Sequence, residues 1–416
     1  MMWTGVVIFA FYQILHVSSI PPLLSSAVSE IGPAVQKAIS NEDARLNFTA
    51  LAGKYGYPTE THTVVTEDGY ILTVFRLGRA GAAECEGGAG GGRPPLLLVH
   101  GLLDSSDTYI VAGPGVGLGY LLADAGQDVW CLNHRGNRYS RRHVTLDPDA
   151  DKQYWNFTRD EHGARDLPAV VDYMLDVTGS ATINYIGHSQ GTTDFFILNS
   201  ARPDYNRKFS LAICLAPVAW LHHITAGSLQ SLAKIGPEIK LAADVAGLKE
   251  FGAHGKLTNI AALGGCELSP NALCDAVINE LTGSHAERIG ANTLATALGH
   301  YPAGTSLKSL LGYGQGVNVD SFSRFDHGEA GNLAAYGSCA APQYDVRRVS
   351  APVALICADG DKLSVRRDVA RLLHRLPNVV AFHLIPDPDW GHVDYVWGDR
   401  IPTVLMPKIH EYLNNY

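Results

Sequence analysis

The sequence predicts an α/β protein: a doubly wound, mostly parallel sheet interrupted by a helical cap. Three observations predict it. Short, continuous apolar runs recur along the chain, as in strands buried on both faces. Helical patterns fall between them, the alternation that builds a parallel sheet. The rhythm then breaks between Val218 and Arg347 and resumes at two further runs near the C-terminus.

The elements follow in order. The first residues, Met1 to about Val17, are almost all apolar and read as an export signal, although no Lys or Arg precedes the apolar core. Gln13 and His16 interrupt the run before it reaches spanning length, and no later segment is long enough to cross a bilayer. Val64-Val65-Thr66 and Tyr70 to Phe75, joined by Glu67-Asp68-Gly69, form a hairpin pattern. Gly78 to Gly92 is a glycine-dominated linker without phosphate-loop spacing. Leu96 to Val99 and Val129 to Leu132 are buried strands, with a helix near Leu118 to Leu122 between them. Leu167, Val170, Val171, Met174 and Leu175 share one helical face, with Asp166 as candidate N-cap, Pro168 in the first turn and Gly179 at the end. Ile183 to Ile186 and Leu211 to Leu215 are strands. Val218 to Arg347 is rich in Leu, Ala and Gly at helical spacing and is expected to be an inserted cap. Strands return at Pro352 to Cys357 and Val379 to Ile385. The expected organisation is a leader over 1–19, a sheet domain over 20–217 and 348–416, and a cap over 218–347.

Composition narrows the function. The hydrophobic fraction of 46% is ample for a core, and the net charge is −9 with no basic run interleaved with aromatics, so no nucleic-acid partner is expected. Seventeen histidines allow the charge to change sign in an acidic compartment. No metal or cofactor motif stands out. Of seven cysteines, Cys131, Cys214 and Cys357 lie in apolar strand runs and are expected to be core thiols. Cys266 and Cys274 lie close together in a polar loop of an exported chain and are expected to be bridged; Cys85 and Cys339 stay unassigned. Asn47-Phe48-Thr49 and Asn156-Phe157-Thr158 are glycosylation acceptors.

The chemistry centres on Gly187-His188-Ser189-Gln190-Gly191. With 43 glycines in the chain this pattern alone is weak. Its position, directly after a strand and before a helix, is what a nucleophile elbow requires. A serine hydroxyl needs a base, and the base needs an acid to orient it. In this topology both follow on loops after the last strands. His392 is the histidine of the final loop. After Cys357, Asp359 and Asp361 compete as the acid. Oxyanion donors are expected from the backbone N–H groups of Gln190 and of Leu102, the latter in the loop after the strand ending at Val99.

His100 to Ser106, Asn133 with Arg135 to Ser140, Asp166 to Ala169, Gly187 to Thr193 and His392 to Gly398 together resemble the acid lipase family from about Tyr55 onward. The resemblance implies an α/β-hydrolase core, a cap with a movable lid, and hydrolysis of triacylglycerols or cholesteryl esters at an oil–water interface in a secreted or lysosomal setting. It also implies that Asp361 is the acid. Gly391 stands where the family usually has Asn, and His134 where it usually has Ala. Two competing functions are a carboxylesterase of small esters and an inactive lipid-binding protein on the same scaffold. The complete set of Ser189, Asp361 and His392 argues against the second, and an apolar cap of about 130 residues argues against the first.

Overall fold

The computed structural model describes residues 41–82, 93–255 and 272–416, with backbone alone for 272–274. Among the described residues there are ten strands: β1 (Thr59–Val65), β2 (Ile71–Leu77), β3 (Leu96–Val99), β4 (Val129–Leu132), β5 (Ile183–His188), β6 (Phe209–Leu215), β7 (Glu250–Phe251), β8 (Thr305–Ser306), β9 (Val353–Ala358) and β10 (Val379–Ile385). Eight form one sheet in the order β1-β2-β4-β3-β5-β6-β9-β10; β7 and β8 pair separately. β1 is antiparallel to β2 and β2 to β4, and every later pairing in the large sheet is parallel. The fold is therefore the doubly wound sheet that the alternation predicted, with an antiparallel hairpin added at one edge.

Two apolar cores lie on the two faces of this sheet. Leu96, Leu98, Ile186 and Ile213 belong to one, and Leu97, Val99, Tyr185 and Cys214 to the other. Successive side chains of a strand point to opposite faces, so a strand covered on both sides is apolar at nearly every position. Cys131, Cys214 and Cys357 are buried free thiols, as their strand settings predicted. Cys339 is free and exposed.

The amphipathic helix runs over Leu167–Thr178 and ends at Gly179 in the left-handed region, φ 65°. Asp166 does not cap it. Asp166 has helical dihedrals, because the helical path starts earlier, at Arg159, where Thr158 and Glu161 form a capping box. The Asp166 carboxylate instead accepts from the Arg135 backbone N–H at 3.0 Å and from Arg135 Nε at 2.7 Å.

Between β6 and β9 the chain forms the helices Gly227–Lys234, Gly236–Ala246, Ala272–Thr282, Ala291–His300, Leu307–Asn318 and Glu329–Tyr336. Helical structure starts at Gly227; Val218, Leu221 and Ile224 before it are buried in a small cluster with Tyr313. The leader, Cys85 and Cys266 lie outside the described residues, as does the side chain of Cys274, so the expected bridge does too. Among the described residues no helix is long and apolar enough to cross a membrane.

Candidate active site

The nucleophile turn follows from two close backbone approaches. A Cβ on Gly191 would lie 2.3 Å from the Val99 carbonyl oxygen, and one on Gly187 would lie 2.7 Å from the Gly191 carbonyl carbon. Only glycine lets the helix Gln190–Ala201 start so close behind β5. Ser189 between them is at φ 54°, ψ −113°, a strained conformation for a side-chain-bearing residue. Its N–H donates to the Leu215 carbonyl at 3.0 Å, and its own carbonyl accepts from Thr192 N–H at 2.9 Å.

The structure brings Ser189, His392 and Asp361 together. Ser189 Oγ lies 2.7 Å from His392 Nε2. His392 Nδ1 lies 3.0 and 2.9 Å from the two Asp361 oxygens. A carboxylate only accepts, so Nδ1 carries the ring proton and Nε2 is free to accept from the serine hydroxyl. Asp361 is buried and is oriented by the Leu363 and Ser364 N–H groups, each donating at 2.8 Å. Asp359, its competitor in the sequence, is at the surface against Arg366, 3.2 Å away.

Leu102 and Ser189 line one cavity of about 860 Å³. Its walls are mostly apolar, from Val218, Leu221 and Ile224 near the serine to Leu229, Leu232 and Ile239 on the cap helices, with Lys240 and Lys308 also lining it. That volume lies in the range of pockets that engulf a sizeable ligand. Leu102 is half-buried and Gln190 opens the nucleophile helix, where free N–H groups and the helix dipole favour negative charge.

Sequence reasoning missed a layer of buried histidines behind this turn. His100 Nε2 faces two donors, His134 N–H and Asn137 Nδ2, both at 3.3 Å. The ring proton is therefore on Nδ1, which donates to the Gly101 carbonyl at 2.8 Å. That carbonyl and the Leu102 N–H share one peptide plane, so His100 fixes the direction of the candidate oxyanion donor. Burial, reinforced by His134, pushes His100 down to about 3 and keeps it neutral. His188 is likewise pushed down to about 3, by burial and then by His392, and its Nε2–H donates to the His392 carbonyl at 2.8 Å. Gln190 Nε2 donates to His162 Nδ1 at 3.2 Å, and His162 stacks on His134 with centroids 4.7 Å apart.

His134 itself lies 2.9 Å from Asp194 on the nucleophile helix and 3.4 Å from Asp166. Burial opposes its charge, but Asp194 and Asp166 outweigh that, and His134 is pushed up to about 9. Burial lifts Asp194 to about 6 despite the neighbouring His134. Between those values the pair is ionised. A folded-state value above the ordinary one means that the His134 proton stabilises the fold fully below about pH 6.5 and that this contribution fades as pH rises through about 9. Asp194's own change lies lower, between its ordinary range and about 6. The thermal midpoint of the native chain should fall between about pH 7 and 9, and that of His134→Gln should fall less; scanning calorimetry giving equal slopes would count against the pair. Asp194 left a faint trace in the sequence, the one acid of its helix, directly before the apolar run Phe195 to Leu198, but nothing there names its partner.

Family models match residues 48–113, a partial α/β-hydrolase lipase region, and residues 94–205, the α/β hydrolase fold. The chain is 34% identical over 387 residues to Lipase 1 of Drosophila melanogaster, covering 91% of this chain and 82% of that one. It is 35% identical to gastric triacylglycerol lipase of Bos taurus, covering 90% and 92%. It is 33% identical to lysosomal acid lipase/cholesteryl ester hydrolase of Macaca fascicularis, covering 90% and 92%. The chain belongs to the acid lipase family. As an acid lipase it is a hydrolase of ester bonds built on the α/β-hydrolase fold. A solved structure from Sulfolobus solfataricus, 14% identical, shares that fold with a TM-score of 0.57 over 86% of this chain and 95% of its own. Among the described residues no cluster of His, Cys, Asp or Glu is arranged to hold a metal ion.

Proposed function

We propose that the chain hydrolyses neutral lipid esters, triacylglycerols or cholesteryl esters, through an acyl-enzyme on Ser189. His392 Nε2 takes the hydroxyl proton as Oγ adds to the ester carbonyl. Asp361 holds the ring in the tautomer that can do this and stabilises the imidazolium formed. The Leu102 and Gln190 N–H groups receive the negative oxygen of the tetrahedral intermediate. As the intermediate collapses, His392 returns the proton to the departing alkoxide. Water then repeats the sequence on the acyl-enzyme and releases the fatty acid. The observation that carries this reading is the Ser189–His392–Asp361 chain opening onto a cavity of about 860 Å³ with mainly apolar walls. A small-ester carboxylesterase would not need a pocket that continues into cap helices, so long acyl chains are favoured. Rates on emulsified triacylglycerol, emulsified cholesteryl ester and a soluble short-chain ester, compared across acidic to neutral pH, test it. A preference for the soluble ester throughout would overturn the lipase reading.

The cap over 218–347 includes a lid formed by the helices Gly227–Lys234 and Gly236–Ala246. They line the cavity through Leu229, Leu232 and Ile239, while Ile235 at their junction and Leu241 and Val245 on the second helix are exposed, the last 84%. An apolar groove open to water is an aggregation liability, and a lid that opens on an oil surface removes it at the cost of a gating step. Turnover of a triacylglycerol should therefore rise steeply once substrate exceeds its solubility. Replacing Ile235, Leu241 and Val245 together with serine should flatten that rise and leave soluble-ester hydrolysis within about twofold. A native rate that saturates smoothly through the solubility limit would show a fixed wall.

The apolar leader and the exposed Asn47 and Asn156 side chains support a secreted or lysosomal glycoprotein, with Cys266 and Cys274 bridged in its oxidising compartment.

A further inference from the structure

We propose that Thr282-Gly283-Ser284 of the cap is a fixed brace for the loops carrying Asp361 and His392, which makes Ser284 and Gly391 positioning residues for the hydrolysis; the proposal rests on the triad reading above. Three backbones meet at this point. The Thr282 carbonyl accepts from His392 N–H at 2.8 Å and from Lys362 N–H at 3.4 Å, so one oxygen ties the base and the neighbour of the acid. Ser284 is fully buried, and its Oγ accepts from Val393 N–H at 3.2 Å. Its hydroxyl also supports the buried Asp394 carboxylate, which accepts from Gly391 N–H at 2.6 Å. Both sides of His392 are thus fastened to one cap segment.

The crossing is closed to side chains. A Cβ on Gly391 would lie 2.1 Å from Ser284 N and 2.3 Å from the Gly283 carbonyl carbon. One on Gly283, at φ +81°, would lie 1.9 Å from the Gly360 oxygen, and one on Gly360 would lie 2.5 Å from the Pro388 oxygen. These contacts are with backbone, which cannot rotate aside as a side-chain tip can. The three glycines come from the cap, the acid loop and the base loop, one from each, so an added methyl group at any of them pushes those elements apart. The gating motion of the lid then belongs to the helices before this segment, and the brace stays in place when the cavity opens.

The test uses the full-length chain carrying Ser284→Ala, Gly391→Ala or Gly283→Ala, with Gly290→Ala as the control. Gly290 is also in the cap at φ +81°, but none of the described residues lies within 4 Å of its Cβ position, so it reports backbone strain without a clash. On a soluble short-chain ester, kcat should fall about 10-fold for Ser284→Ala and about 100-fold for the two glycine variants, with KM within about twofold, because a displacement near 1 Å is enough to misalign a catalytic pair. Gly290→Ala should keep the native kcat. Ser284→Ala adds no atom and carries the test if a glycine variant does not fold. Native kcat in folded Ser284→Ala and Gly391→Ala, or a loss confined to KM, would overturn the brace. Failure of the triad reading is separate: it would appear as native activity in Ser189→Ala.

Discussion

Ser189→Ala and His392→Ala should each lower kcat about a million-fold, and the double variant should be little worse than either, because the two groups act as one unit. Loss of the serine leaves no nucleophile, and loss of the histidine leaves a hydroxyl 2.7 Å from nothing that can take its proton. Asp361→Asn should cost about 10⁴-fold, since an amide in place of the carboxylate no longer holds the proton on Nδ1 and the ring turns the wrong nitrogen to the serine. Asp359→Asn is the discriminating control. Its carboxylate faces Arg366 at the surface, so its loss should change kcat less than about twofold. Single-turnover and steady-state rates on a soluble ester, with folding checked by circular dichroism, decide the matter. If Asp359→Asn is the crippling change, the assignment of the acid is wrong.

Arg135→Met should destabilise the fold by about 3–5 kcal/mol, a large share of the stability of an ordinary domain. Arg135 is 1% exposed and carries three separate duties. Its Nη1 and Nη2 grip Asp68 at 2.6 and 2.9 Å, its Nε and backbone N–H hold Asp166, and its guanidinium lies 3.9 Å from the Tyr70 ring centroid. Asp166 is wholly buried, so removal of the guanidinium leaves its carboxylate in the interior with only the backbone N–H of residue 135 and His134, which it shares with Asp194, to compensate it. Arg135→Lys should recover only part of the loss, because one ammonium cannot reproduce a planar fork bonded to two carboxylates. Urea denaturation at neutral pH measures both changes; a midpoint for Arg135→Met close to that of the native chain would count against this network.

The positions of the sheet strands and of the turn that carries Ser189 were legible because local chemistry dictates them. A strand covered on both faces is apolar at nearly every position, so Leu96–Val99 and Val129–Leu132 stood out, with the bounds they have in the fold. Gly187 and Gly191 marked the turn because no other residue permits the approach of Gly191 to Val99 and of Gly187 to Gly191. Other features depend on residues far apart in sequence. Asp166 has the chemistry of a cap, and only the arrival of Arg135 from another strand's loop makes it an ion-pair partner instead. The residues alone left Asp359 and Asp361 level, since both follow β9. The fold separates them by turning one toward His392 and the other to solvent. Gly391 looked like a mere departure from the family pattern until the cap placed Ser284 where its Cβ would be. Composition and periodicity thus determined which elements exist and which residue types could do the chemistry. Which carboxylate, which histidine partner and which glycine matter was decided by tertiary packing, because a hydrogen bond or an excluded Cβ depends on a few ångströms between segments that sequence spacing does not encode.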